Sequence, residues 1–422
     1  MNPLLTENNI PQTFSARMNS LVSAVKMLAL LVMLTMMRAG RWRLLKRRTQ
    51  RDLQQGETIW LDDLEPSGDL PLAQQKNAAR GDAGDMTPNQ TIRPRKSRIM
   101  KIDTYPEPDY PFAYRNPPLS GNTINGFGET EPRPANKVFH SNSYKIAWRG
   151  LERYYHTRVN DVSFNMLRKI RWLDRDKDGH AMPAQYTVEN PEEMADHVKE
   201  AAKQFGAELV GITALAREHT FEHFDRGPYH TAICIGISMD LDGMVYATSN
   251  KASAAVMDGY RRAATASVEL AKRIRALGWE ALAASNVGAD TDEVLHIPLA
   301  VQAGLGQLGK HGSLISKELG SNLRLATVLT NMPLSHDEPA DIGVDDFCTV
   351  CQVCLTNCPP QAIFETKQMV RGEEKWYVDF DKCVPYFAMN NSCGICVAVC
   401  PWTAPGRGET ISLKMLAQRD EA

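Results

Sequence analysis

The sequence predicts a layered domain of mixed α/β (α+β) type followed by a small cysteine-rich module, and three observations predict it. Segments with helical and strand periodicity alternate from about Asn190 to Leu329, the pattern of helices packed on a sheet. Eight of the nine cysteines fall between Cys348 and Cys400, too clustered for a disulfide framework spread through a secreted fold. The stretch from Gln54 to Pro134 is rich in Pro, Gly, Asn, Asp and Gln and shows no period. The chain therefore divides into 1–53, an apolar and basic N-terminal segment; 54–137, an irregular linker and wrapping segment; 138–340, the α/β domain; and 341–422, the cysteine module.

The N-terminal segment holds "SLVSAVKMLALLVMLTMM", Ser20 to Met37, with Lys26 as its one interior charge. That length is at the lower limit for a membrane-spanning helix. The basic run "RAGRWRLLKRR" follows at once, so a spanning helix would leave the rest of the chain in the cytoplasm. Residues 20–37 are thus a candidate membrane anchor, with an interfacial helix as the alternative. The basic cluster follows the apolar run and no small-residue cleavage site is present, which is the wrong order for a signal peptide. In the linker, "YPEPDYPFAYRNPPLSG" cannot be a helix because of its prolines, and its aromatics suit a segment that packs over another surface.

Within the α/β domain, "PEEMADHVKEAAKQF" predicts a helix from Pro191 to Phe205, opened by Pro and two acidic residues and stopped by Gly206. A strand follows. "TAICIGISMD" from Thr231 reads as a buried strand, "ASAAVMDGYRRAATASVELAKRIRALG" from Ala252 as a long amphipathic helix, and "WEALAAS" as a further strand. The net charge of −2 gives no reason to expect nucleic acid.

The cysteine module carries two motifs. The first is Cys348-x2-Cys351-x2-Cys354-x3-Cys358-Pro359, and the second is Cys383, a gap, then Cys393-x2-Cys396-x3-Cys400-Pro401. Bacterial two-cluster ferredoxins use C-x2-C-x2-C-x3-C-P, with the fourth cysteine ligating the other cluster. The crossed assignment gives Cys348, Cys351, Cys354 and Cys400 to one [4Fe–4S] cluster and Cys358, Cys383, Cys393 and Cys396 to the other. Zinc is the alternative, but pairing Cys348/Cys351 with Cys393/Cys396 leaves four cysteines and both prolines unused. Two clusters in one small module make an electron wire.

Three motifs are set aside. "GLGQLG" at Gly304 to Gly309 fits a dinucleotide fingerprint, but the preceding "IPLAVQA" is helical where a strand is needed. "DRDKDG" at Asp174 begins like a calcium loop and has Gln185 where a bidentate Glu belongs. His296 and His311 stand singly, and no Asp-x-His-x-x-Gly motif appears.

The span from about Asn190 to Thr403 resembles the corrinoid-dependent reductive dehalogenases. The resemblance is carried by "AICIGISMD", "DGY", "ASN", "AGLGQLGKHGSLIS" and "NLRLATVLTNMPL", ending in the two cysteine motifs. It implies a nitroreductase-like α/β domain that binds base-off cobalamin, with the ferredoxin-like two-cluster module against it. The implied reaction is R–X + 2 e⁻ + H⁺ → R–H + X⁻. Tyr260, in "DGY", is the implied proton donor, and Asn286 matches the family's active-site asparagine. A cation beside the phenol favours phenolate; Lys310 is the candidate and Arg324 the reserve. Gly304, Gly306, Gly309 and Gly312 would let backbone approach the corrinoid closely, with His311 and Ser313 beside it. The implied partners are a halogenated organic substrate and a separate electron donor, whether ferredoxin, flavodoxin or a membrane donor, because the chain ends about twenty residues after Cys400 without the fused reductase of some family members. The expected location is the cytoplasm, with or without an anchor.

Two other functions compete. Epoxyqueuosine reductases share the corrinoid-plus-two-cluster plan, but that reading needs a basic surface for tRNA and an aspartate in place of the tyrosine. The other is an iron–sulfur electron-transfer subunit with no catalysis of its own.

Overall fold

The structure, a computed structural model, describes residues 119–139, 151, 155, 169–170, 172–285, 293–390 and 392–420. The apolar segment 20–37, the linker before residue 119 and Asn286 lie outside the described residues. Among the described residues no helix is long and apolar enough to cross a membrane.

Helix α1 (Pro191–Gln204) begins where the Asn190 side chain accepts hydrogen bonds from the N–H groups of Glu192 and Glu193, the usual satisfaction of orphan donors at a helix start. Gly206 leaves the helix at φ +99° and strand β1 (Leu209–Ala214) follows. Next come β2 (Thr231–Ser238), α2 (Asn250–Ala276), β3 (Ala281–Ala284), α3 (His296–Gln302), the two-residue strands β4 (Gln307–Leu308) and β5 (Leu314–Ile315), and β6 (Leu323–Thr330). Helix α2 starts two residues earlier than its apolar periodicity, because Ser249 accepts from the N–H of Ala252. Strand β3 is shorter than "WEALAAS": the N–H of Glu280 goes to the Asn331 side chain instead of the ladder.

The sheet order is β1–β2–β6–β3 and every neighbouring pair is antiparallel. The alternation of helices and strands is therefore realised in the α+β form. Ile233, Ile235 and Ile237 of β2 face α1 and α2 in one apolar cluster. Ala232 and Cys234 of the same strand face α3 in another. Burial on both faces is why β2 reads as an unbroken apolar run despite its period of two.

Arg275, near the end of α2, donates to the carbonyl oxygens of Ala281 and Asp176 at 2.8 Å and to that of Lys177. The "DRDKDG" segment is thereby fixed as a turn against α2, with backbone oxygens of a would-be calcium loop already used.

The cysteine module is built from α4 (Val344–Val350), α5 (Val353–Thr356), a hairpin of β7 (Gln368–Val370) and β8 (Glu373–Lys375), then α6 (Phe380–Met389), α7 (Ile395–Ala398) and α8 (Arg407–Asp420). Asp379 caps α6, and Arg419 of α8 clasps Asp341 and Asp346. Trp402, 1% exposed, packs with Ile315, Val344, Trp376 and Ile411. Ile315 belongs to the β4–β5 hairpin, so this cluster joins the sheet domain to the module. Residues 119–127 lie along the module too: Ser120 and the N–H of Gly121 donate to Asp381 at 2.5 and 2.7 Å, and Phe127 stacks on Phe364.

Candidate functional site

Cys348 sits in the last turn of α4, Cys351 directly after it, Cys354 on α5 and Cys400 just beyond α7. Their side chains line one cavity together with Lys310, His311, Ile315, Phe347 and Trp402. Burial pushes the Cys348 thiol up to about 11 and those of Cys354 and Cys400 to about 12. Buried thiols of this kind ionise only when a cation replaces lost hydration. Cys383 lies on α6, Cys396 on α7, Cys393 just before α7 and Cys358 just after α5. These four act electrostatically on one another: Cys383 feels Cys393 and Cys358, and Cys396 feels all three and also Cys354. The two sets therefore meet where α5 packs on α7.

Backbone N–H groups aim at sulfur in both sets. Lys310 N–H donates to Cys348 Sγ at 3.5 Å and Ala362 N–H to Cys358 Sγ at 3.3 Å. Ser392, Cys393 and Gly394 all take positive φ, turning the N–H groups of Gly394 and Ile395 toward Cys393. Left-handed φ in non-glycine residues costs on the order of 1–3 kcal/mol each, a strain typical of ligand loops. Among the described residues the thiols do not converge on a single-ion site. Four thiols with N–H···S donors fit an iron–sulfur cubane.

The glycines of the loop nominated for cobalamin lie close to neighbouring chain. A Cβ at Gly306 (φ +151°) would lie 2.1 Å from the Ile315 carbonyl oxygen, and one at Gly309 2.6 Å from Ile315 Cδ1. Gly304 faces the Glu338 carbonyl and Gly312 faces Val378. These glycines allow the β4–β5 hairpin to close on itself, and none leaves an open cradle at its Cβ position. His311 accepts from Ser313 N–H at 3.2 Å, and burial lowers its pKa to about 4. Both residues thus serve the hairpin turn.

Lys310 and Arg324 exchange places relative to expectation. Lys310 is 1% exposed, with its Nζ 4.9 Å from the centre of the Trp376 ring, on the first thiol cavity. The cation at Tyr260 is Arg324, whose guanidinium lies 5.0 Å from the ring centre. Tyr260 is on α2 and Arg324 on β6. The neighbouring Gly259 lets them meet, since a Cβ there would stand 3.0 Å from Arg324 Cγ and 3.1 Å from Met239 Cγ. Arg324 Nε is buried without an acceptor among the described residues, which leaves a donor for a bound anion or ligand beside the phenol. Tyr260 itself packs in one apolar cluster with Met239, Met244, Val256, Val397 and Cys396.

Tyr155 was not singled out from the sequence. Its hydroxyl bonds Ser392, its ring stacks on Phe387 at 5.7 Å, and burial raises its pKa while Tyr260 and Arg324 also act on it. "RYYHT" carries no signal for this; only the fold brings it beside Tyr260.

Residues 347–404 match the family model of the 4Fe-4S dicluster domain. Over 261 residues the chain is 31% identical to a tetrachloroethene reductive dehalogenase of Sulfurospirillum multivorans, covering 51% of this chain and 51% of that protein. It is 34% identical over 131 residues to an epoxyqueuosine reductase of Synechocystis, covering 27% and 41%. Among solved structures, the catabolic reductive dehalogenase NpRdhA in complex with 3-bromo-4-hydroxybenzoic acid superimposes with a TM-score of 0.59 at 22% identity, over 74% of this chain and 49% of that one. The chain spans about half the length of the reductive dehalogenases it matches. The resemblance read from the sequence therefore stands: this chain is similar to reductive dehalogenases and shares their fold over the matched region.

Proposed function

We propose that the chain is a reductive dehalogenase that replaces a carbon-bound halogen by hydrogen. The observation that carries this reading is the placement of Tyr260, with Arg324 on its ring and Cys396 in the same apolar cluster. A proton source, a cation and a cluster-type cysteine meet at one place. In this reading Cys348, Cys351, Cys354 and Cys400 hold one [4Fe–4S] cluster, and Cys358, Cys383, Cys393 and Cys396 hold the other. The sheet domain is of the nitroreductase-like kind. A base-off corrinoid, when bound, supplies low-valent cobalt able to deliver two electrons to a carbon–halogen bond.

The work of the chain's own residues is proton supply and charge balance. The Tyr260 hydroxyl donates its proton to the carbon that loses halide. Phenolate remains, and the Arg324 guanidinium stabilises it, a contact that strengthens as charge develops. Half-burial of both groups keeps that attraction from being screened as it would be in open water. Asn286 is assigned to hold the substrate. Electrons come from a separate donor such as ferredoxin, flavodoxin or a membrane donor.

The test is anaerobic reconstitution with iron, sulfide and cobalamin, then metal analysis, EPR and halide release from chlorinated ethenes and bromophenols. About eight irons and one cobalt per chain with halide release are expected. Full iron loading without retained cobalt would replace this reading by that of an electron carrier. Retained cobalt with turnover only on an epoxyqueuosine-bearing tRNA stem loop would replace it by the RNA-modifying reading.

A further inference from the structure

Lys310 is the deepest cation of the molecule to lack a counter-ion among the described residues. Its side chain is 1% exposed and its Nζ has no hydrogen-bond acceptor. Trp376 offers a π face on one side, at 4.9 Å. The same indole carries a second ammonium, Lys367 at 5.8 Å, but that one is ion-paired to Asp345 at 2.7 Å and partly exposed. The two lysines share a ring and differ in what neutralises them. A fully buried ammonium held by a ring face alone is costly, so an anion belongs on its other side. What lies there is the cavity of Cys348, Cys351, Cys354 and Cys400.

Among the described residues the second thiol set has no fully buried ammonium of this kind: Arg324, which shares the Tyr260 neighbourhood with Cys396, is only half-buried and lies over the phenol ring. The charges acting on Cys383, Cys393 and Cys396 are those of other thiols and of Asp379, whereas Lys310 acts on Cys348, Cys351 and Cys354. Backbone N–H donors are present in both sets, so amide hydrogen bonding does not separate them. The buried cation does.

We propose that Lys310 places its ammonium against the thiolates of the Cys348/Cys351/Cys354/Cys400 cluster and holds that cluster's reduction potential above that of the Cys358/Cys383/Cys393/Cys396 cluster. This rests on the two-cluster reading above. A cubane with four thiolates is anionic, and each reduction adds one electron and no proton. A fixed positive charge in a low-dielectric wall stabilises the reduced form more than the oxidised one. The first electron from an external donor therefore rests beside Lys310, and the second cluster is filled afterwards. Lys310 is a positioning residue for electrons and touches no substrate.

The experiment is a potentiometric EPR titration of the reconstituted full chain, with Lys310→Met, Lys310→Gln and Lys310→Arg beside the parent. The parent should show two separable midpoints. In Lys310→Met and Lys310→Gln the upper midpoint should fall toward the lower one, which stays where it was, with iron content unchanged. Lys310→Arg, which keeps the charge, should restore the separation. A neutral variant that retains full iron and the parent's two midpoints overturns the proposal, and so does one in which both midpoints move equally. If neutral variants lose half their iron while Lys310→Arg keeps it and the upper midpoint, the cation–cluster contact stands. A parent that binds no iron removes the two-cluster reading itself; full iron with unmoved midpoints removes only the role of Lys310.

Discussion

Lys310 and Arg324 each lay a cation over an aromatic ring, at 4.9 Å over Trp376 and 5.0 Å over Tyr260. Each leaves a nitrogen without an acceptor among the described residues. Their scaffolds differ. Lys310 sits in the turn of a hairpin whose strands have two residues each, and that turn is pressed into the cysteine module. Arg324 is on β6, an eight-residue strand hydrogen-bonded on both sides, and it crosses α2 at Gly259. The difference teaches that residue type nominates a cation but the scaffold chooses its neighbour: a thiol cavity for the hairpin lysine, a phenol ring for the strand arginine.

The largest effect that would sharpen this contrast comes from Tyr260→Phe. Removing a positioned general acid costs typically ~10²–10⁴ in rate, so halide release should fall by about that factor while iron content and both cluster midpoints stay at parental values. Turnover within a few-fold of the parent would show that the proton comes from elsewhere and leave Arg324 without its phenol. Next is Arg324→Met. Loss of one charge-stabilising contact costs roughly 2–3 kcal/mol in a shielded site, on the order of 10²-fold in turnover. The midpoints measured for Lys310 variants should not move in this one. If Arg324→Met shifted a midpoint and Lys310→Met did not, the two assignments would have to be exchanged.

Much of the scaffold was legible in the sequence, and the exchange of Lys310 and Arg324 shows where legibility stopped. Pro191, Glu192 and Glu193 announced α1, and Ile233, Ile235 and Ile237 announced a strand, because helix-start chemistry and periodicity are local properties, whereas the Asn190 cap was seen only in the structure. The helical reading of "IPLAVQA" was also local, and α3 is the reason "GLGQLG" follows a helix instead of a strand. Strand direction was not local: β2, β6 and β3 pair across long stretches of chain, so antiparallel order could not be read from alternation alone. Between Gly309 and Leu323 the register was invisible. Strands of two residues carry no period, and the fold is set there by contacts such as Gly306 against Ile315 and Gly320 against the Trp402 carbonyl. Tyr155 became visible only once the fold set it near Tyr260, and Trp376 only once it lay beneath Lys310.

Two glycines test the scaffolds directly, with smaller effects of opposite sign. Gly306→Ala places a Cβ 2.1 Å from backbone at φ +151°, where nothing can yield cheaply. The hairpin should lose about 1–3 kcal/mol, read as a lower midpoint of urea unfolding, and the Lys310 midpoint shift should appear in part. Gly259→Ala meets only the side chains of Arg324 and Met239 near 3 Å. Alanine gains up to ~1 kcal/mol in a helix interior, so stability should hold or rise while turnover falls, because Arg324 is pushed off Tyr260. Equal losses of stability in the two variants would mean that the strand scaffold is no more forgiving than the hairpin.

The smallest effect concerns acid, and it separates the sheet that carries Arg324 from the cysteine module beside Lys310. His296 lies under β6, its Nδ1 2.7 Å from Thr327 Oγ1, and burial lowers its pKa from 6.5 to about 4. The folded chain then binds no proton at His296 across a range where the unfolded chain does. Stability from the neutral imidazole is complete above pH 6.5 and drains away as pH falls toward about 4, by roughly 3–4 kcal/mol in all. Cluster loss in acid would act through the cysteines, whereas His296 lines neither thiol set, so His296→Gln should flatten the fall in unfolding free energy between pH 6.5 and 5 without altering iron release over the same range. An unchanged slope would clear His296 and leave the acid sensitivity to the other imidazoles, His219 and His311, whose pKa values burial also lowers.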